Sequence, residues 1–212
     1  MQADFWHERW AKGEIGFHEQ DINPLLIAHF PKLSLRKGQR VFVPLCGKTH
    51  DISWLLAQGY NVVGAELSEQ ATIALFESLH IQAEVTAIDG FLLYQAANID
   101  IFVGDIFSLT QALIGQVDGV YDRAALVALP LPMRIQYSQH LINVTDGATQ
   151  LLICFDYEQS SMQGPPFSVT AAEVTRHYAD KYKIESLYSE SLAGGLKGRV
   201  AALQQVWRLT PG

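Results

Sequence analysis

Four polar positions close apolar runs in this chain. Glu66 follows Asn61-Val62-Val63-Gly64-Ala65, Asp105 follows a run that starts at Ile99, and Asp122-Arg123 follow Gly119-Val120-Tyr121. A carboxylate at the end of a strand is the group that accepts hydrogen bonds from ribose hydroxyls in a nucleotide-binding βαβ unit. The turn upstream of Glu66, Pro44-Leu45-Cys46-Gly47, decides which nucleotide fits. Gly47-Lys48-Thr49 looks like the end of a phosphate-binding loop, but Phe42 stands where that loop needs its first glycine. The dinucleotide pattern G-x-G-x-x-G is absent too, because Gly47 is the turn's one glycine. A pyrophosphate needs bare backbone N–H groups at close range, and Pro44 and Leu45 obstruct them. A ligand with a ribose and no phosphate fits, and S-adenosylmethionine is such a ligand. On this reading Glu66 takes the ribose diol and Leu45 offers backbone contacts to the methionine portion. Asp105 and Ile106 flank the adenine, and Trp10 covers the sulfonium with its aromatic face.

Taken singly, these residues have plainer uses. Glu66 and Asp105 suit helix N-caps or turns, and Arg123 suits a surface ion pair. Their convergence on one edge favours a site, because open α/β sheets bind ligands beyond the carboxyl ends of their strands.

The elements that must position them follow from the apolar pattern. Arg40-Val41-Phe42-Val43 and Asn61–Ala65 read as strands buried on both faces. Between them Ile52, Leu55 and Leu56 have helical spacing, and Gly59 closes that helix. Ser68 caps a helix running to about His80. The stretch 84–97 is irregular and includes short strands. Ile99–Phe107, Gly119–Asp122 and Gln150–Asp156 are further strands, with a helix from about Met133 to Val144 and another over Thr170–Lys181. Ile184–Ser191 and Ala201–Leu209 are joined by a glycine-containing turn and must pair antiparallel. A mostly parallel seven-stranded sheet with helices on both faces and an antiparallel C-terminal hairpin is the Rossmann-like shape of class I methyltransferases. At the N-terminus Phe5, Trp6 and Trp10 lie on a short helix over Asp4–Lys12, which is either a lid over a pocket or a helix packed on the sheet edge.

With 212 residues and 49% hydrophobic composition, the chain suits one domain: a helical lid segment over 1–30 and a core over 40–212. The net charge of −7 disfavours nucleic acid and anionic membranes. There is no apolar run of about 18 residues to span a bilayer, and the first residues lack a signal-peptide pattern. Cys46 and Cys154 lie far apart on apolar strands without Cys or His at ligand spacing, so we expect buried thiols, no metal and a cytoplasmic location. A monomer is expected, since no long exposed apolar face is evident.

The chain resembles the thiopurine S-methyltransferases over nearly its whole length. The resemblance rests on Trp6…Arg9-Trp10…Gly13…Gly16-Phe17-His18, on Val41-Phe42-Val43-Pro44-Leu45-Cys46-Gly47-Lys48 and on Val62-Val63-Gly64-Ala65-Glu66-Leu67-Ser68-Glu69. Asp105-Ile106-Phe107, Tyr121-Asp122-Arg123-Ala124-Ala125-Leu126-Val127-Ala128 and Gly164-Pro165-Pro166-Phe167 complete it. It implies S-adenosylmethionine binding at Trp10, Leu45, Glu66 and Arg123, with Ile106 near the adenine and Phe17 lining the acceptor pocket. The family often carries Trp where Tyr121 stands, and little change is expected from that. The implied reaction is attack of an aromatic or heterocyclic thiol on the sulfonium methyl, giving S-adenosylhomocysteine and a thioether. Arg123 would hold the methionine carboxylate or an acceptor anion, and Asp122 would orient Arg123. Alternative acceptors are selenium or tellurium oxyanions, thiocyanate and halide. A non-catalytic cofactor-binding module and a dehydrogenase are the remaining readings, the latter disfavoured by the single-glycine turn.

Overall fold

A computed structural model describes residues 3–14, 16 and 18–212. Five parallel strands form the centre: β1 (Arg40–Val43), β2 (Asn61–Glu66), β5 (Ile99–Val103), β6 (Gly119–Arg123) and β7 (Thr149–Asp156). Strands β3 (Glu84–Ile88) and β4 (Phe91–Ala96) make an antiparallel hairpin beside β5, and β8 (Tyr182–Ser191) and β9 (Leu203–Pro211) make another beside β7. The spatial order is β3-β4-β5-β2-β1-β6-β7-β9-β8. The sheet therefore has nine strands, where the sequence reading counted seven. The two extra ones lie in the stretch read as irregular. Every residue of β3 is exposed, so it carries no buried-face alternation by which a strand is recognised.

The central strands are buried on both faces, as parallel strands covered by helices must be. Phe42, Val63, Ala65, Val120 and Leu152 face one cluster with Tyr137, Leu141 and Val174, which come from α6 (Leu131–Val144) and α7 (Ala171–Tyr178). Val41, Val43, Val62, Tyr121 and Leu151 face a second cluster with residues of α2 (Pro24–His29), α3 (Asp51–Ala57) and α4 (Glu69–Leu79). Helix starts follow local chemistry: Ser68 caps α4 through the Ala71 N–H, and Asn23 caps α2 through the Leu25 N–H. Helix α1 (Ala3–Ala11) carries the N-terminal aromatics, and α5 (Gln111–Ile114) completes the set of described helices. Cys46 and Cys154 are buried free thiols. Among the described residues no helix is long and apolar enough to cross a membrane.

Candidate active site

Because β1, β2, β5, β6 and β7 run parallel, their carboxyl ends share one edge, and Glu66 and Arg123 end the strands on either side of β1. Glu66 is buried. Its Oε2 accepts the Gly47 N–H at 2.7 Å and its Oε1 accepts the Ser68 N–H at 2.8 Å. One carboxylate thus ties the β1 turn to the end of β2 and leaves further lone pairs on both oxygens. Burial raises the Glu66 pKa, opposed by the N–H groups of Ser68, Gly47 and Leu67. Those donors favour the charged form that receives hydroxyl groups.

The turn that Glu66 holds is conformationally costly. Leu45 sits at φ 45°, in the left-handed region that costs a residue with a Cβ about 1–2 kcal/mol. The Cys46 N–H bond to the Ala65 carbonyl, at 3.0 Å, and the Gly47 bond to Glu66 hold it there. A strained backbone over-determined by its surroundings marks functional turns. Gly47 adopts φ 53°, and a Cβ on it would lie 3.3 Å from Trp10 Cζ2. The buried Trp10 indole therefore lies against this turn, so α1 is docked over the strand ends. Gly64 is needed for close packing below: a Cβ there would lie 2.6 Å from Ile101 Cδ1.

Asp105 is exposed and caps the short 3-10 turn Ile106–Ser108 by accepting the Phe107 N–H at 3.0 Å. Ile106 beside it is buried. The plainer capping use thus holds for Asp105, and its second oxygen faces no constraint from the cap.

Arg123 is mostly buried and forms an ion pair with Glu19, while the next residue, Ala124, turns at φ 61°. Asp122 does not orient it. Adjacent residues on a strand face opposite sides, so Asp122 points into the cluster with α6 and Arg123 toward the N-terminal segment. Asp122 is fully buried; it accepts the Tyr137 hydroxyl at 2.7 Å and the Leu126 N–H at 3.1 Å. Burial pushes its pKa up to about 6 against those hydrogen bonds. Its work is to hold the turn after β6.

Several polar residues at this edge escaped the sequence reading. His18 stacks near His50, with ring centroids 5.3 Å apart. Burial first, then Lys48, His50 and Arg123, lower its pKa and keep it neutral near pH 7. Asp51, in the first turn of α3, is buried and accepts the Tyr121 hydroxyl at 2.9 Å and the Asn23 N–H at 2.8 Å. Tyr121 was expected to stand in for Trp with little change, and its hydroxyl is the donor to Asp51. The signal available for these residues was slight: an acid at a helix start reads as a dipole partner. Phe17, the candidate acceptor residue, lies outside the described residues.

Beside this edge, between the ends of β7, β8 and β9, a cavity of about 460 Å³ is lined by Asp156, Ser191, Leu192, Arg199 and Leu203 among others. In the turn before Arg199, Lys197 Nζ donates to the Pro165 carbonyl at 2.8 Å. Burial, then Arg9 and Arg199, lower the Lys197 pKa. Arg134 makes two hydrogen bonds to Glu173, at 2.6 and 3.0 Å, and its guanidinium carbon lies 5.7 Å from the Phe167 ring centroid.

The Glu66-held turn at the strand ends of an α/β sheet agrees with what the chain is similar to. The family model described as thiopurine S-methyltransferase matches residues 1–208. The chain belongs to that family. A relative named thiopurine S-methyltransferase from Teredinibacter turnerae is 52% identical over 210 residues, 99% of this chain and 98% of the relative. One of the same name from Xanthobacter autotrophicus is 50% identical over 210 residues, covering 99% of each. Among solved structures, an S-adenosylmethionine-dependent methyltransferase from Anabaena variabilis superposes with a TM-score of 0.67 at 16% identity, over 99% of this chain and 95% of that one. The 1,6-didemethyltoxoflavin-N1-methyltransferase of Burkholderia thailandensis, solved with its acceptor and S-adenosylhomocysteine, gives 0.66 at 14% identity, over 98% and 87%. Fold and family together make this chain an S-adenosylmethionine-dependent methyltransferase.

Proposed function

We propose that the chain transfers the methyl group of S-adenosylmethionine to the sulfur of aromatic or heterocyclic thiols, thiopurines among them. The relatives that share half its residues carry that name. The observation that carries the cofactor part is the buried Glu66 carboxylate fixed between the Gly47 and Ser68 N–H groups. It supports Glu66 as the ribose acceptor, with Leu45 beside the methionine portion, Ile106 and Asp105 beside the adenine, and Trp10 over the sulfonium. Arg123 serves the methionine carboxylate or an acceptor anion, and Phe17 the acceptor ring.

In the reaction the acceptor sulfur attacks the methyl carbon in line as the carbon–sulfonium bond breaks. Heterocyclic thiols are acidic, so the attacking species is largely the thiolate near neutral pH. Alignment of the two partners supplies about 7–11 kcal/mol in well-oriented reactions. Thiolate and sulfonium become two neutral products, so a dry site under α1 favours the step. The protein acts as a monomer with a small-molecule partner.

A second reading, transfer to small anionic nucleophiles such as selenium or tellurium oxyanions or thiocyanate, is favoured by Arg199, a cation lining the cavity beside the strand ends. Competition decides between them. Purified protein with labelled S-adenosylmethionine should methylate a thiopurine in preference to selenite, tellurite or thiocyanate at equal concentration. Transfer to an oxyanion that a thiopurine fails to suppress would replace the first reading by the second.

A further inference from the structure

Two residues of β6 on the same face, Tyr121 and Arg123, are joined by a closed ring of polar contacts through three other elements. The Tyr121 hydroxyl donates to Asp51 Oδ2 at 2.9 Å, and Asp51 Oδ1 accepts the Asn23 N–H at 2.8 Å. Asn23 Nδ2 donates to Glu19 Oε2 at 3.2 Å, and Glu19 Oε1 pairs with Arg123, which returns to β6. Tyr121, Asp51 and Asn23 are all buried, so the Asp51 carboxylate depends on these partners in place of water. The ring fastens residues 19–23 to the sheet edge where Arg123 ends. His18 precedes them, beside His50, and Phe17 is next in the chain.

We propose that Tyr121 and Asp51 are positioning residues for the acceptor: they fix the segment from His18 to Asn23 at the strand ends. The proposal rests on the reading of that segment as the acceptor side. Tyr121 is buried and acts through Asp51 and the Asn23 backbone. A phenylalanine at 121 fills the core without making this hydrogen bond. Burial pushes the Tyr121 phenol far above its ordinary pKa, so the hydroxyl keeps the proton it donates. Glu19 closes the ring at its exposed end and also neutralises Arg123.

The test is Tyr121→Phe, which keeps the packed ring and removes one hydroxyl. One buried hydrogen bond corresponds to about a three- to tenfold effect, and the expected result is an acceptor KM raised by that factor. The S-adenosylhomocysteine Kd should stay within about twofold, because Glu66 and the Leu45 turn are untouched. Hydrogen exchange should speed up at the Asn23 amide and not at amides of β2. Glu19→Gln, a change at an exposed side chain, tests the ring as a unit: its effect on acceptor KM and that of Tyr121→Phe should be less than multiplicative when combined. An unchanged KM and Asn23 exchange rate in Tyr121→Phe would overturn the proposal. So would a loss in cofactor affinity equal to the loss in acceptor KM, or fully multiplicative effects in the double variant. If the wild-type protein methylates no thiol, the proposed function fails on its own, and the Asn23 exchange rate still decides whether Tyr121 holds the segment.

Discussion

Replacing Asp122 with Asn should change how stability depends on pH, and the sign is fixed by burial. The Asp122 carboxyl is fully buried, and its pKa rises from the ordinary 3.8 to about 6. A folded pKa above the unfolded one means that the native state still binds a proton between about pH 4 and pH 6 that the unfolded chain has released. Stability from this group is therefore complete below about pH 4 and declines as pH rises through 6. At about 1.4 kcal/mol per unit, the shift is worth about 3 kcal/mol at neutral pH. Asparagine does not titrate. Its carbonyl can accept the Leu126 N–H, and its amide can donate to the Tyr137 oxygen, since a hydroxyl serves as donor or acceptor. Urea unfolding followed by circular dichroism from pH 4 to pH 7.5 measures both proteins. The unfolding free energy of Asp122→Asn minus that of wild type should climb by about 2–3 kcal/mol over this range. Taking the difference removes the titration of Glu66, Asp156 and Glu173, which both proteins share. A difference that stays level with pH, or one that falls, would refute the assignment of Asp122 as a buried carboxylate stabilised by its proton.

Three further outcomes follow from the packing and the site. Arg134→Ala should lower stability by about 3–5 kcal/mol, read as a fall in Tm, because Glu173 would lose its bidentate partner in a buried site. Gly64→Ala should cost about 1–3 kcal/mol by overpacking against Ile101. Adding Ile101→Val, which removes the clashing Cδ1, should recover part of that loss in the same melting experiment. Arg123→Ala should reduce kcat/KM or cofactor affinity by at least about tenfold, roughly 1.4 kcal/mol, and unchanged steady-state kinetics would take Arg123 out of the site.

The parts of the fold that could be read from sequence were those with a period or a cap. The β1–α3–β2 unit has apolar strands, a helical stripe at Ile52 and Leu55, and a closing carboxylate, so its layout and the place of Glu66 were legible. The antiparallel β8–β9 hairpin was legible from the glycine-containing turn between two consecutive strands. Strand β3 was not, because all five of its side chains are exposed and its partner β4 supplies the pairing. Asp122 was misread for a geometric reason. Its neighbour in sequence is Arg123, but the strand pleat turns the two apart, and its partner Tyr137 lies on α6. Asp51, Asn23 and Glu19 were out of reach, since their joint role exists once α2, α3 and β6 are packed together. The Gly47–Trp10 contact likewise joins residues of different elements, though Trp10 had been singled out for the site.

The central claim is that the Glu66 carboxylate grips the ribose of the adenosyl cosubstrate. Calorimetric titration of wild type and Glu66→Gln with S-adenosylhomocysteine, and with an analogue lacking both ribose hydroxyls, tests it directly. Glutamine should weaken S-adenosylhomocysteine by at least about tenfold, since a charge-assisted hydrogen bond contributes about 1.5–3 kcal/mol. The same substitution should cost the analogue less, because only the N–H bond lost to Gly47 or Ser68 is common to both ligands. Equal losses for the two ligands, or no loss for either, would contradict the account.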